Sequence, residues 1–324
     1  MDPNISTRLD PRLAARLAEK KARLDLLRPL PPAVVQRLAD DMRVLLTYHS
    51  NAIEGNTLSL YETKMVIEEG VTISGQPLRY YLEARNHAEA LDQVRALAER
   101  QAPITAETVL LLHRLMMDDV LPDAGQWRAG YVHIRGAEHT PPHPRLVPQL
   151  MADWAAWLAG DGLAYLPVVR AALAHVVFEA IHPFSDGNGR VGRLLLNLML
   201  MREGYPPALL PQEWRTGYMH GLHLAQTTGN HTPICNLIGR AVEQALDRYL
   251  ESIEASDAIP LPLSEVAERT GYRAEHLAWL VRKGRLPAVK RGRRWLATVE
   301  AVERYRQAVA DREVPRGRPP TTDH

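Results

Sequence analysis

Apolar residues recur at three- and four-residue intervals through Leu13–Leu27, Val34–Leu46, Tyr81–Leu97, Val109–Met117, Leu150–Leu158, Val168–Ile181, Leu194–Met201 and Ile234–Leu250. That period turns one face of a helix toward a core, so the chain is predicted to be mainly α. Proline and glycine punctuate the runs at Pro29, Pro31 and Pro32, at Gly55, at Pro103, at Pro122 with Gly125, at Gly160 with Gly162, and at Gly204 with Pro206 and Pro207. Two short stretches, Gly70–Leu78 and Tyr131–Ile134, read as extended, and the second enters a polar, proline-rich loop, Arg135–Pro144.

The texture changes near Ala255–Pro262, where two prolines interrupt the pattern. Leu263–Thr270 and Ala274–Lys283 are short helical patterns joined at Gly271, with Gly284 as a C-cap. Pro287–Arg291 and Arg294–Ala297 form a predicted hairpin around Gly292, and Thr298 caps a last helix to about Val309. The tail from Asp311 to His324 is poor in apolar residues and is expected to be disordered.

The 324 residues allow roughly two domains at about 150 residues each. One cysteine, Cys235, excludes an internal disulfide framework and any Cys-rich zinc module. No run approaches the ~18 apolar residues of a membrane span. The N-terminus lacks the shape of a signal peptide, so a cytoplasmic protein without membrane contact is expected. Net charge is +1, which taken whole argues against a nucleic-acid partner. The sum hides a split. Residues 260–324 carry 14 Lys+Arg and 8 Asp+Glu, a balance of +6, and the remainder carries 25 and 30, a balance of −5. Val281–Trp295 alone holds seven basic residues and no acid.

The densest chemistry lies in Ile181–Arg193, I-H-P-F-S-D-G-N-G-R-V-G-R. Pro183 disfavours helical geometry at His182, so an apolar helix ends there. A Gly-Asn-Gly turn then opens a second helix. Glycines at a helix N-terminus aim backbone N–H groups into one concavity where the helix dipole adds positive charge, a ready site for phosphate. Arg190 and Arg193 sit at the electrostatically wrong end of that helix unless they face a polyanion. Asp186 supplies one hard oxygen ligand for Mg²⁺ that also coordinates phosphate, and His182 a base. Together they describe a nucleotidyl- or phosphoryl-transfer site. His133, His139 and His143 cluster nearby, but without the spacing of a zinc site.

The segment from His182 to Arg193 resembles the Fic (filamentation induced by cAMP) signature, with every specified position filled. The resemblance extends over roughly residues 30–250. Gly125–Arg128 and Tyr131–Pro142 are similar to the family's Gly-x-Tyr-Arg turn and the flap after it, with Trp127 in place of tyrosine. Ser50-Asn-Ala-Ile-Glu54-Gly55 resembles the family's inhibitory motif, placed in this chain N-terminal to the signature.

The resemblance implies transfer of AMP from ATP to a Ser, Thr or Tyr hydroxyl of an unidentified target protein. Self-modification and a homodimer are further options. It makes His182 the catalytic base and Asp186 the Mg²⁺ ligand. Gly187, Asn188, Gly189, Arg190, Val191, Gly192 and Arg193 become the cradle for ATP, with Tyr218 and Gln226 near the adenine. Gln226 stands where the family often has asparagine, and Gly189 stands where a kinase branch has lysine. Val132, His133, Ile134 and Arg135 would dock the target as an extended segment. Glu54, with Ser50, would hold Arg193 away from the γ-phosphate. De-AMPylation and another nucleotide donor stay open.

The C-terminal segment is similar to excisionase/MerR-type winged helix-turn-helix modules. This implies duplex DNA as a partner, with Arg273, Glu275, His276, Arg282 and Lys283 in a groove and Arg291, Arg293 and Arg294 on phosphates. The whole reads as an N-terminal helical region over 1–100 with an inhibitory helix at about 33–55, a Fic core with a small β-hairpin flap over 101–257, a winged helix-turn-helix over 258–310 and a tail over 311–324. The alternative function is a DNA-binding regulator whose core senses nucleotide.

Overall fold

A computed structural model describes residues 9–134, 138–254 and 260–310. The described residues form two compact units. One comprises the first described residues through Leu26 together with Ala39–Arg248, and the other Leu27–Leu38 together with the described residues from Tyr249 onward.

The helices run in the order α1 (Pro11–Leu26), α2 (Pro32–Ile53), α3 (Leu60–Glu69), α4 (Leu78–Glu99), α5 (Ala106–Met117), α6 (Val147–Ala159), α7 (Pro167–Ile181), α8 (Asn188–Arg202), α9 (Arg215–Thr228) and α10 (Thr232–Glu254). The centre of the larger unit is the pair α7 and α8, flanked by α4, α5, α6 and α9. Helix α7 is buried on nearly every face, which its sequence of small and branched apolar residues permits. Its three buried polar side chains, Arg170, His175 and Glu179, are the exceptions to that pattern. Arg170 pairs with Glu203, and the other two belong to the site described below. Among the described residues no helix is long and apolar enough to cross a membrane.

Helices α3 and α9 were not expected from periodicity. Helix α3 is fixed at its ends: Ser59 and Glu62 form a capping box, and Gly70 closes it in the left-handed conformation. In α9, Gly217 and Gly221 dilute the apolar stripe. Gly221 lies so close to Ile234 of α10 that an added Cβ would meet the isoleucine Cβ at 3.2 Å.

Neither stretch expected to be extended pairs as a strand among the described residues. Residues 71–77 form a turn between α3 and α4 and no strand. Residues 131–134 pair with no strand either, so the expected hairpin flap is absent among the described residues. An isolated strand leaves its N–H and C=O ladder unmet, and side chains hold the segments on either side of this loop. Arg128 donates to the carbonyls of Gly130 at 3.0 Å and Pro142 at 2.5 Å, and His139 Nε2 donates to that of Ala180 at 2.8 Å. Arg135 and the tail at 311–324 lie outside the described residues.

The smaller unit contains β1 (Leu261–Pro262), α11 (Leu263–Thr270), α12 (Ala274–Arg282), β2 (Val289–Arg291), β3 (Arg294–Ala297) and α13 (Val299–Ala310). The strands form an antiparallel sheet in the order β1-β3-β2. Val266, Leu277, Leu280, Leu286, Val302 and Tyr305 make its core. Strand β1 adds an edge that the sequence pattern did not indicate.

Candidate active site

The site is built where α7 stops and α8 starts. His182 closes α7 in the left-handed region, at φ 50° and ψ 61°, and its N–H bonds the Phe178 carbonyl at 2.9 Å. For a residue with a Cβ that conformation costs about 1–2 kcal/mol, and the surroundings enforce it. Arg128, almost fully buried, donates from Nε to the His182 carbonyl at 2.8 Å, and its own N–H bonds the Pro183 carbonyl at 3.0 Å. Asn188 closes the turn by accepting from the Phe184 N–H at 2.9 Å and donating to its carbonyl at 3.0 Å. Phe184 stacks flat on His113, with ring centroids 3.6 Å apart. His113 accepts the Gly125 N–H at Nδ1 (2.9 Å) and donates from Nε2 to the Asp186 carbonyl (3.1 Å). These two bonds require the neutral imidazole, and burial lowers its pKa to about 4.

His182 is likewise neutral near pH 7, because burial lowers its pKa to about 4. Its Nδ1 faces the Glu179 carbonyl at 3.4 Å. A carbonyl only accepts, so the ring proton belongs on Nδ1 and the lone pair on Nε2.

Asp186 Oδ1 accepts from the Gly187 N–H at 2.6 Å, and Arg79 Nη2 reaches Oδ2 at 2.5 Å. Arg190 lies 2.7 Å from Glu83 of α4 and 3.4 Å from Asp186. Glu83 also accepts from Arg79 Nε at 2.8 Å and from Asn56 at 3.1 Å. Neighbouring arginines hold both carboxyls below their ordinary range against the opposing effect of burial.

Arg193, one turn further along α8, donates from Nε to Ser50 Oγ at 2.9 Å. Its Nη2 donates to the Ser50 carbonyl and to Glu54 Oε1, both at 2.8 Å. Two buried guanidinium nitrogens, Arg190 Nε and Arg193 Nη1, have no hydrogen-bond acceptor among the described residues, whereas Arg190 Nη1 faces Glu83 at 2.7 Å. Glu179 is buried near Arg193, and desolvation raises its pKa to about 8. His175 and the Tyr218 hydroxyl share a hydrogen bond of 2.7 Å.

A cavity of about 340 Å³ brings together His182, Gly189, Arg193, Glu54, Tyr218, Gln226 and Ile134 from the sequence reading. Leu222, which closes the Tyr-x-x-x-Leu stretch begun by Tyr218, also lines it, and the cavity adds Glu179, Arg215, Met219 and His223. Ser50, Asp186, Gly187, Asn188, Arg190, Val191 and Gly192 are not among its lining residues, nor are Val132 and His133. Tyr218 is buried, with its hydroxyl committed to His175. In the smaller unit Arg273, Glu275, Arg282, Lys283, Arg291, Arg293 and Arg294 are exposed. His276 is half-buried between Tyr272 and Trp279.

Arg79, Glu83, His113 and Glu179 were not singled out by sequence reasoning. An i,i+4 Arg–Glu pair and a lone histidine look like ordinary helix residues. For Glu83 the only local hint is Asn56, which directly follows Glu54-Gly55 and binds it.

Residues 103–200 match the Fic/DOC family. Fic-1 (residues 134–508) of Caenorhabditis elegans is 32% identical, with a TM-score of 0.68 over 75% of this chain and 73% of that one. The chain belongs to the Fic/DOC family. It is also 37% identical over 228 residues to "Protein adenylyltransferase Fic" of Drosophila erecta, which covers 68% of this chain and 46% of the relative. The chain thus spans about half the length of the curated relatives it matches. A Fic family protein of Desulfovibrio desulfuricans is 25% identical with a TM-score of 0.64, and covers 90% of this chain and 97% of its own.

Proposed function

We propose that this chain transfers AMP from ATP to a hydroxyl side chain of a protein and is restrained by Glu54. The observation that carries this reading is the pair of buried guanidinium nitrogens without acceptors, Arg190 Nε and Arg193 Nη1, on the helix whose N-terminus follows a neutral histidine. Buried donors are rarely left unmet, and a polyphosphate supplies the missing acceptors.

His182 Nε2 accepts the hydroxyl proton as that oxygen attacks the α-phosphorus. The bond from the α-phosphorus to the α–β bridging oxygen breaks, and its electron pair leaves with pyrophosphate. The first-turn amides of α8 and Arg190 hold the charge that develops on the phosphate oxygens. Arg193 holds the terminal phosphate once Glu54 has moved. Ile134 and the loop at 131–134 present the target segment, and Met219, Leu222 and Gln226 offer the adenine an apolar wall with a polar edge.

Asp186 fits Mg²⁺ as a single, half-exposed carboxylate. No group of three His, Cys, Asp or Glu stands ready to hold a metal among the described residues, so phosphate oxygens and water complete the shell. The metal would supply charge neutralisation at the phosphates.

The test is incubation of wild type, Glu54→Gly and His182→Ala with α-labelled ATP, Mg²⁺ and cell lysate. Label entering protein in the Glu54→Gly reaction and absent with His182→Ala is the expected result. No label in any variant overturns the reading.

The smaller unit favours a second role. Exposed basic residues line the end of α12 and the β2–β3 hairpin, the arrangement of a winged helix-turn-helix on DNA. The 90% coverage by the Desulfovibrio desulfuricans protein runs beyond the larger unit, so the smaller unit is in part shared. Duplex DNA is expected to bind with an affinity that falls steeply with salt. Replacing Arg291, Arg293 and Arg294 by glutamine should flatten that slope. A slope unchanged by the three substitutions removes the hairpin from the interface. The setting we assign is the cytoplasm, consistent with Cys235 being a buried free thiol.

A further inference from the structure

Four side chains close a ring of alternating charge at the mouth of the phosphate cradle. Arg79 reaches Asp186 at 2.5 Å and Glu83 at 2.8 Å. Arg190 reaches the same two acids, at 3.4 Å and 2.7 Å. Glu83 and Arg190 are buried, while the Arg79 and Asp186 side chains are 49% and 43% exposed. Half of the ring is therefore fixed and half is open to solvent. The open half contains the carboxylate oxygens to which a divalent cation would bind.

We propose that Arg79 is a placeholder for that cation. Its guanidinium neutralises Asp186 while the nucleotide site is empty and is exchanged for Mg²⁺ as ATP enters. The proposal rests on the nucleotide-binding reading above.

Arg79 suits the exchange for three reasons. A guanidinium donates to two acceptors at once, so Arg79 keeps Glu83 as an anchor when it releases Asp186. Glu83 does not follow Arg79, because it is tied to Asn56 at 3.1 Å and to Arg190. Asn56 and Glu54 both follow the C-terminal end of α2, so the ring and the Glu54–Arg193 latch share one anchored segment. The two differ in what they restrain. Glu54 occupies the guanidinium of Arg193, and Arg79 occupies the carboxylate of Asp186.

The experiment measures binding, not turnover, in a chain carrying Glu54→Gly and His182→Ala. ATP is titrated calorimetrically at a series of MgCl₂ concentrations, and the concentration giving half of the maximal affinity gain is read. Adding Arg79→Ala should lower that concentration about two- to fivefold, the scale of one exposed ion pair. Arg79→Lys retains a cation for Asp186 and should lower it less. An unchanged Mg²⁺ requirement overturns the proposal. So does a loss of ATP affinity at saturating Mg²⁺, which would make Arg79 a phosphate ligand. If the parent chain binds no ATP at any Mg²⁺ concentration, the nucleotide reading itself fails, and this proposal with it.

Discussion

Glu54 Oε1 lies 2.8 Å from Arg193 Nη2 and only 2.3 Å from the point where a Cβ on Gly189 would stand. The carboxylate is therefore wedged against the first turn of α8, where an anion would otherwise sit. On the proposed reading, negative charge there opposes phosphate, and the ion pair withholds Arg193 from it. With the Glu54 side chain 32% exposed, the pair is screened in part. Glu54→Gly should nevertheless tighten ATP binding at least about tenfold, the factor that corresponds to 1.4 kcal/mol. Isothermal titration of both proteins measures this, and equal affinities would contradict a latch at Glu54.

Gly192 makes a sharper structural test. Replacing a glycine by alanine inside a helix ordinarily gains about 1 kcal/mol. Here the added Cβ would lie 2.2 Å from Glu179 Oε1 and 3.0 Å from His175, both on the buried face of α7. Overpacking of this kind costs typically 1–3 kcal/mol. Gly192→Ala should therefore lower Tm by several degrees. A rise in Tm would mean that Glu179 yields freely.

The sequence carried local chemistry better than it carried pairing. His182 through Arg193 is contiguous, so its turn, histidine, glycines and arginines are read together. Glu54 was reached because its own motif is compact. Arg79, Glu83 and His113 act through partners tens of residues away, and nothing in the 3.6-residue period separates them or Glu179 from ordinary helix positions. Helix α3 carried a legible signal in Ser59 and Glu62, since a capping box is local. The loop at 131–134 was not legible as unpaired for the opposite reason. Its Val and Ile alternate like a strand, but strand formation depends on a partner that the sequence does not name.

His113 holds two backbone groups from different segments, the Gly125 N–H and the Asp186 carbonyl. His113→Phe keeps the stack on Phe184 but leaves both groups unmet, at about 1–3 kcal/mol for each buried loss. The expected outcome is a Tm lowered by several degrees together with a weaker Mg²⁺ dependence of ATP binding, because the Asp186 backbone is no longer fixed. A loss of stability with unchanged Mg²⁺ dependence would confine His113 to a packing role.

Acid should unfold the larger unit before its carboxylates titrate. Burial lowers the pKa of His87 and His175 to about 3, and of His113 and His182 to about 4. Their ordinary value is 6.5. Between about pH 6.5 and 4 the unfolded chain therefore binds protons that the folded chain refuses, so stability falls as pH falls. Each fully refused proton is worth up to about 1.4 kcal/mol per pH unit. Glu179 works in the other direction. Its carboxyl, raised to about 8 from 4.5, is protonated in the fold and ionised in the unfolded chain over the same window. It offsets one of the four histidines, so unfolding near pH 5 should take up about three protons net. Thermal melts at half-unit steps from pH 7 to 4.5 measure the slope. Glu179→Gln removes the offset and should steepen it. A Tm that stays flat across the window would place these imidazoles in contact with water.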